Sequence, residues 1–266
     1  MRGRRRRRGV YLLPSLLTIS NLLCGVYAIV AVHNDEHTRA AIAILIALIL
    51  DGLDGAVARL TNTQSDFGVQ LDSLADLVAF GVAPAILSYA WAIKPYTKMG
   101  LLFGSIIPTA LFVSSGAFRL ARFNVQTRIL DKRYFVGLPI PAAAAVIAAF
   151  VLFTRESPSL VLFQRELLSD RVMSALMVVI VYALSFLMVS PLRYRSLKGI
   201  EIKKRQPFAL LIGLTLVVLV IASEPSLVVF SCFFLYALSG VIRMIPLIRR
   251  HVSEPVEQVI GGEGGP

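Results

Sequence analysis

The chain has 266 residues, of which 56% are hydrophobic and 16% charged, and it carries a formal net charge of +11. That balance excludes a soluble globular domain, because the apolar residues fall in long blocks rather than in an amphipathic scatter. It does not indicate a nucleic-acid-binding protein either. Arg2 and Arg4 to Arg8 crowd the N-terminus, and most other basic residues lie in short segments between apolar blocks.

In chain order the apolar blocks cover 11–32, 40–60, 69–93, 99–122, 137–154, 171–191, 207–223 and 225–247. Each is long enough, or nearly so, to cross about 30 Å of hydrocarbon at 1.5 Å per helical residue. The first follows the arginine run as a signal peptide would, but it lacks a small-residue cleavage site and is interrupted by Asn21, so it reads as a retained span. Ser223, Glu224, Pro225 and Ser226 give a tight hairpin between the last two blocks. The expected architecture is an all-α polytopic membrane protein of about eight transmembrane helices. A basic N-terminus (1–10) precedes a single transmembrane catalytic domain (11–250), and a polar tail (251–266) follows it. The two cysteines, Cys24 and Cys232, each sit inside an apolar block and suggest neither a disulfide nor a zinc site.

Alternating the loops between the two sides sorts the basic residues sharply. One side receives the N-terminal six, Arg59, the group from Arg119 to Arg133, the group from Arg193 to Arg205, and Arg243, Arg249 and Arg250, for 21 in all. The other side receives 6, namely Arg39, Lys94, Lys98, Arg155, Arg165 and Arg171. This asymmetry predicts cytoplasmic termini in the cell (inner) membrane.

The second and third blocks carry charges that a plain anchor would lack. Asp51 and Asp54 are three residues apart and Asp72 and Asp76 four apart, so each pair occupies one helix face. The short connection makes the two helices antiparallel neighbours. Measured from Arg59 and Gly68 by helical rise, the inner and outer members of each pair lie about 12 Å and about 6–7 Å deep, at one level inside the cytoplasmic leaflet. Four unpaired aspartates there would cost on the order of 10 kcal/mol, and Arg59 offsets only one of them. Hard divalent cations with oxygen ligands are the natural compensation, and two such ions would leave a site suited to a diphosphate. Arg119 and Arg122 could instead pair with the aspartates, but an ion-pair role has no need of Gly55, Ala58 and Gly68. Small residues there let a bulky group or a second helix approach the backbone.

The string Asp51-x-x-Asp54-Gly55-x-x-Ala58-Arg59, eight residues, Gly68-x-x-x-Asp72-x-x-x-Asp76 resembles the signature of the CDP-alcohol phosphatidyltransferase family, with every motif position filled. The resemblance implies that Asp51, Asp54, Asp72 and Asp76 hold one or two Mg²⁺ or Mn²⁺ ions. It implies that Asp76 takes the proton of an acceptor alcohol, and that Gly55, Ala58, Arg59 and Gly68 lie against the cytidine diphosphate of the donor. Phe80 to Ala85, Leu120 to Asn124, Gly137 to Pro141, Met188 to Ser190 and Arg193-Tyr194 are similar to segments of the serine-using branch of that family. For that branch the substrates are CDP-diacylglycerol and L-serine, the products phosphatidylserine and CMP, and the assembly a homodimer in the lipid membrane. Two positions depart from the pattern. Ser15 follows Pro14 where relatives have Asn, so Ser15, Thr18 or Asn21 is expected at the donor nucleotide. Ala79 stands where many serine-specific relatives carry Ser.

A zwitterionic acceptor also needs a cation near the carboxylates. Arg119, Arg122 and Arg193 are the candidates on the cytoplasmic side, since guanidinium matches a carboxylate or a phosphate. The alternatives are the same chemistry with glycerol 3-phosphate or an inositol phosphate as acceptor, or a cation-coupled transporter whose intramembrane carboxylates carry ions.

Overall fold

The structure, a computed structural model, describes residues 12–61, 65–94, 106–126, 134–156, 170–195 and 225–242. Helix α1 (Leu12–His33) and helix α2 (His37–Leu60) form an antiparallel pair. Their tight turn places Asp35 at φ 60, a left-handed conformation that a short polar side chain tolerates. Helix α3 runs without a break over Asp66–Ile93. Its start is capped by Ser65, whose Oγ accepts a hydrogen bond from the Gly68 amide at 3.0 Å. Two π-helical stretches, Leu77–Val82 and Tyr89–Ile93, widen α3 after the carboxylate segment. Helices α4 (Ile107–Gln126), α5 (Ile140–Glu156), α6 (Asp170–Val189) and α7 (Pro225–Ile242) complete the described bundle.

Helix α5 lies at the centre and touches α2, α3, α4, α6 and α7. Its run of alanines from Ala142 to Ala149, with Val146, Ile147 and Val151, is buried, because methyl-sized side chains let neighbouring helices come close on every side. The outer faces are apolar instead: Leu16, Leu23, Ile49, Leu53, Phe67 and Leu74 are exposed, as lipid-facing residues are.

The helices agree with seven of the expected blocks to within a few residues at most ends. The largest shift is in the fourth, where the described helix starts at Ile107. Four described helical segments are long and apolar enough to cross a membrane: Ser15–His33, His37–Ala58, Asp66–Ile93 and Val172–Val189. Ile140–Thr154 and Ser226–Gly240 are apolar but shorter. The expected span at 207–223, the N-terminal arginines and the tail at 251–266 lie outside the described residues.

One element departs from the all-α expectation. Strand β1 (Tyr134–Val136) pairs antiparallel with strand β2 (Arg193–Arg195), Val136 opposite Arg193. The ribbon joins the start of α5 to the end of α6, continued by Gly137 N to Leu192 O at 2.8 Å and Leu138 N to Leu187 O at 3.0 Å. Gly137 adopts φ 82, and a Cβ there would fall 2.2 Å from the Met188 carbonyl oxygen, so only glycine fits.

Candidate active site

Four helices contribute to one polar cluster in this apolar bundle. The i, i+3 spacing on α2 presents Asp51 and Asp54 together, and the i, i+4 spacing on α3 does the same for Asp72 and Asp76. Helix α1 approaches closely because Gly25 lies against α3: a Cβ there would stand 2.7 Å from Ala79 Cα. That approach brings Thr18 and Asn21, which share a face of α1, onto the carboxylates.

Carboxylate oxygens of Asp51, Asp72 and Asp76 lie within 4.8 Å of one another. Asp54 is buried beside them and accepts a hydrogen bond from Thr18 Oγ1 at 2.8 Å. Asn21 Nδ2 donates to Asp76 Oδ1 at 3.2 Å. Among the described residues, the buried Asp72 Oδ1 has no hydrogen-bond partner and neither Asp72 nor Asp76 makes an ion pair. Carboxylates this close repel one another unless a cation lies between them. An oxygen-only donor set with one orphaned buried oxygen fits a hard divalent cation.

Arg119 of α4 is buried, with its guanidinium 5.8 Å from the centre of the Phe123 ring, and it is near enough to Asp76 to interact electrostatically. Arg122, one turn on, is exposed. Gly55, Ala58 and Gly68, on the same two helices as the aspartates, are half-buried. Arg59 lies on α2 and Arg193 on β2, and both side chains are outside what the structure describes. A contact that spacing alone does not reveal is Asn124 Nδ2 donating to Ser73 Oγ at 2.9 Å, which ties the end of α4 to α3 next to Asp72. Its signal was present only in the Leu120 to Asn124 resemblance.

Residues 11–189 match the CDP-alcohol phosphatidyltransferase family. The chain belongs to that family. The matched segment includes every helix that supplies a side chain to the cluster, from α1 to α4. Among curated relatives, the CDP-diacylglycerol–serine O-phosphatidyltransferase of Helicobacter pylori strain J99 is 38% identical over 90% of this chain and 93% of its own length. The archaetidylserine synthase of Methanothermobacter thermautotrophicus is 38% identical over 70% of this chain and 71% of its own. The Bacillus subtilis enzyme with the same name as the first is 40% identical over 49% of this chain and 70% of its own. The similarity to the first relative extends well past residue 189, so it takes in part of the chain beyond the family match.

Proposed function

We propose that this phosphatidyltransferase moves the phosphatidyl group of CDP-diacylglycerol to the hydroxyl of L-serine, releasing CMP and leaving phosphatidylserine in the bilayer. The observation that carries the proposal is the buried carboxylate cluster on a chain that is 38% identical to a serine-using relative over nearly its whole length. Asp51, Asp72 and Asp76, with Asp54 beside them, would hold one or two Mg²⁺ or Mn²⁺ ions, two in our proposal. Such ions supply neutralisation of the donor diphosphate and of the leaving CMP.

In the transfer the serine hydroxyl oxygen attacks the β-phosphorus while the bond from that phosphorus to the CMP oxygen breaks. Asp76 takes the hydroxyl proton as the new ester forms. Its carboxylate is held for this by Asn21 Nδ2. Gly55, Ala58 and Gly68 offer the donor backbone that no bulky side chain covers, and Arg59 would meet its phosphates. Arg119 is the cation assigned to the acceptor. Arg122 and Arg193 are assigned to phosphate.

The same proposal sets the chain in the inner membrane with eight crossings and residues 11–250 as one catalytic domain. Both termini and the carboxylates then face the cytoplasm, as the 21 to 6 division of basic residues supports. It also takes the enzyme as a homodimer, on the family resemblance. Purified full-length chain in detergent, given CDP-diacylglycerol and Mg²⁺ or Mn²⁺, should release CMP with L-serine and much more slowly with glycerol 3-phosphate or an inositol phosphate. Equal or faster release with either phosphate acceptor would reassign the substrate.

A further inference from the structure

Besides Asp72 Oδ1, two buried polar atoms around Asp76 have no hydrogen-bond partner among the described residues, and they are opposite in kind. Asn21 is 0% exposed; its Nδ2 donates to Asp76, and its Oδ1, at the other end of the same planar amide, accepts nothing. Arg119 is 8% exposed and its Nε donates to nothing, although its guanidinium is braced against Phe123 and neighbours Asp76. An orphaned amide oxygen calls for an N–H or O–H, and an orphaned guanidinium nitrogen for an anion. Leaving either unsatisfied in an apolar bundle is costly, so Asn21, bonded to Asp76, and Arg119, within electrostatic range of it, mark a place for a ligand that carries both a hydrogen-bond donor and an anion.

We infer that Asn21 and Arg119 form the acceptor subsite, Asn21 Oδ1 receiving the ammonium group and Arg119 the carboxylate of a hydroxy amino acid. The inference rests on the proposed reaction, and it moves Asn21 from the donor nucleotide, where its sequence position suggested it, to the acceptor. Asp76 neighbours both residues and is left to face the hydroxyl, so three groups on adjacent carbons meet three complementary partners. A phosphate-bearing acceptor has no ammonium for Asn21 and would bring negative charge toward the carboxylates. The subsite therefore selects a zwitterion by what it lacks as well as by what it offers.

The test uses acceptors that each lack one group: 3-hydroxypropionate without the ammonium and ethanolamine without the carboxylate. With the purified full-length enzyme, kcat/KM for L-serine should exceed that for each analogue by about tenfold or more. Asn21→Ala should shrink the serine to 3-hydroxypropionate ratio toward one while leaving most of the serine to ethanolamine ratio. Arg119→Ala should do the reverse, and in both variants the KM for CDP-diacylglycerol should change less than that for serine. If Asn21 only orients Asp76, its loss lowers all three acceptors by one factor and the ratios stand, which overturns the inference. Wild-type enzyme that uses 3-hydroxypropionate as well as serine overturns it too, whether or not either variant folds. Failure of the proposed reaction is a separate result, namely CMP release with none of the three acceptors.

Discussion

Asp76 is buried and bonded on one side by Asn21, while its other neighbours are carboxylates and Arg119. Asp76→Asn keeps the size of the side chain but removes the proposed proton acceptor, so CMP release should fall by about 10²-fold or more. Donor binding, measured by equilibrium binding of a CDP-diacylglycerol analogue, should survive within a few-fold. Turnover close to wild type would move the base to another residue. Of the two arginines one turn apart on α4, Arg119 is buried and Arg122 exposed. Arg119→Ala should therefore lower kcat/KM for serine by about tenfold, about 1.4 kcal/mol, and Arg122→Ala by clearly less. At this scale the carboxylates were legible in the sequence because charge within an apolar block and i, i+3 and i, i+4 spacing both have fixed meanings. The preference for Arg119 over Arg122 was not, because a helix turn alone does not say which residue faces the bundle. Nor was the bond from Asn124 to Ser73, which joins residues far apart along the chain.

At the scale of elements, the meeting of α1 with α3 and of α4 with α5 depends on glycines of different kinds. A methyl group at Gly25 would meet backbone, Ala79 Cα at 2.7 Å, whereas one at Gly116 would meet the end of the Ile140 side chain, Cδ1 at 2.5 Å. A side-chain end can rotate away and a helix backbone cannot. Gly25→Ala should thus cost about 1–3 kcal/mol of stability and lower activity further by drawing Thr18 and Asn21 off the carboxylates. Gly116→Ala should be milder on both counts. Thermal unfolding in detergent beside CMP release compares the two, and an equal response would show that α1 is free to shift. The helices were legible because uninterrupted apolar runs leave little else to form. The widening of α3 was not: a π turn adds one residue without altering composition, and Phe80 to Val82 read as ordinary span. The ribbon was hidden for a similar reason, since three-residue strands carry too short a pattern, although Gly137 and Met188, which meet there, both lay in the family-like segments.

For the whole molecule, the proposed metal site makes activity conditional on a divalent cation. Excess chelator should abolish CMP release, and Mg²⁺ or Mn²⁺ should restore it. Undiminished activity in chelator would remove the metal from the proposal. Single cysteines placed at Asp35 and Thr61, in a chain with Cys24 and Cys232 replaced, should label from opposite sides of sealed vesicles. The position near the carboxylates should be the cytoplasmic one. Labelling of both from the same side would contradict the alternation on which the orientation rests.

The apolar side chains on the outer faces of α2 and α3 continue to the level of the carboxylates, where Leu53, Phe67 and Leu74 stand exposed beside them. A donor with two acyl chains can reach the cluster only by moving sideways through the lipid, and its product leaves the same way. What the enzyme senses is then an areal density, the fraction of surrounding amphiphiles that are donor molecules, rather than an amount per litre. Adding inert detergent at fixed total CDP-diacylglycerol should slow the reaction in proportion to that fraction. Diluting enzyme, donor and micelles together should leave turnover per enzyme unchanged.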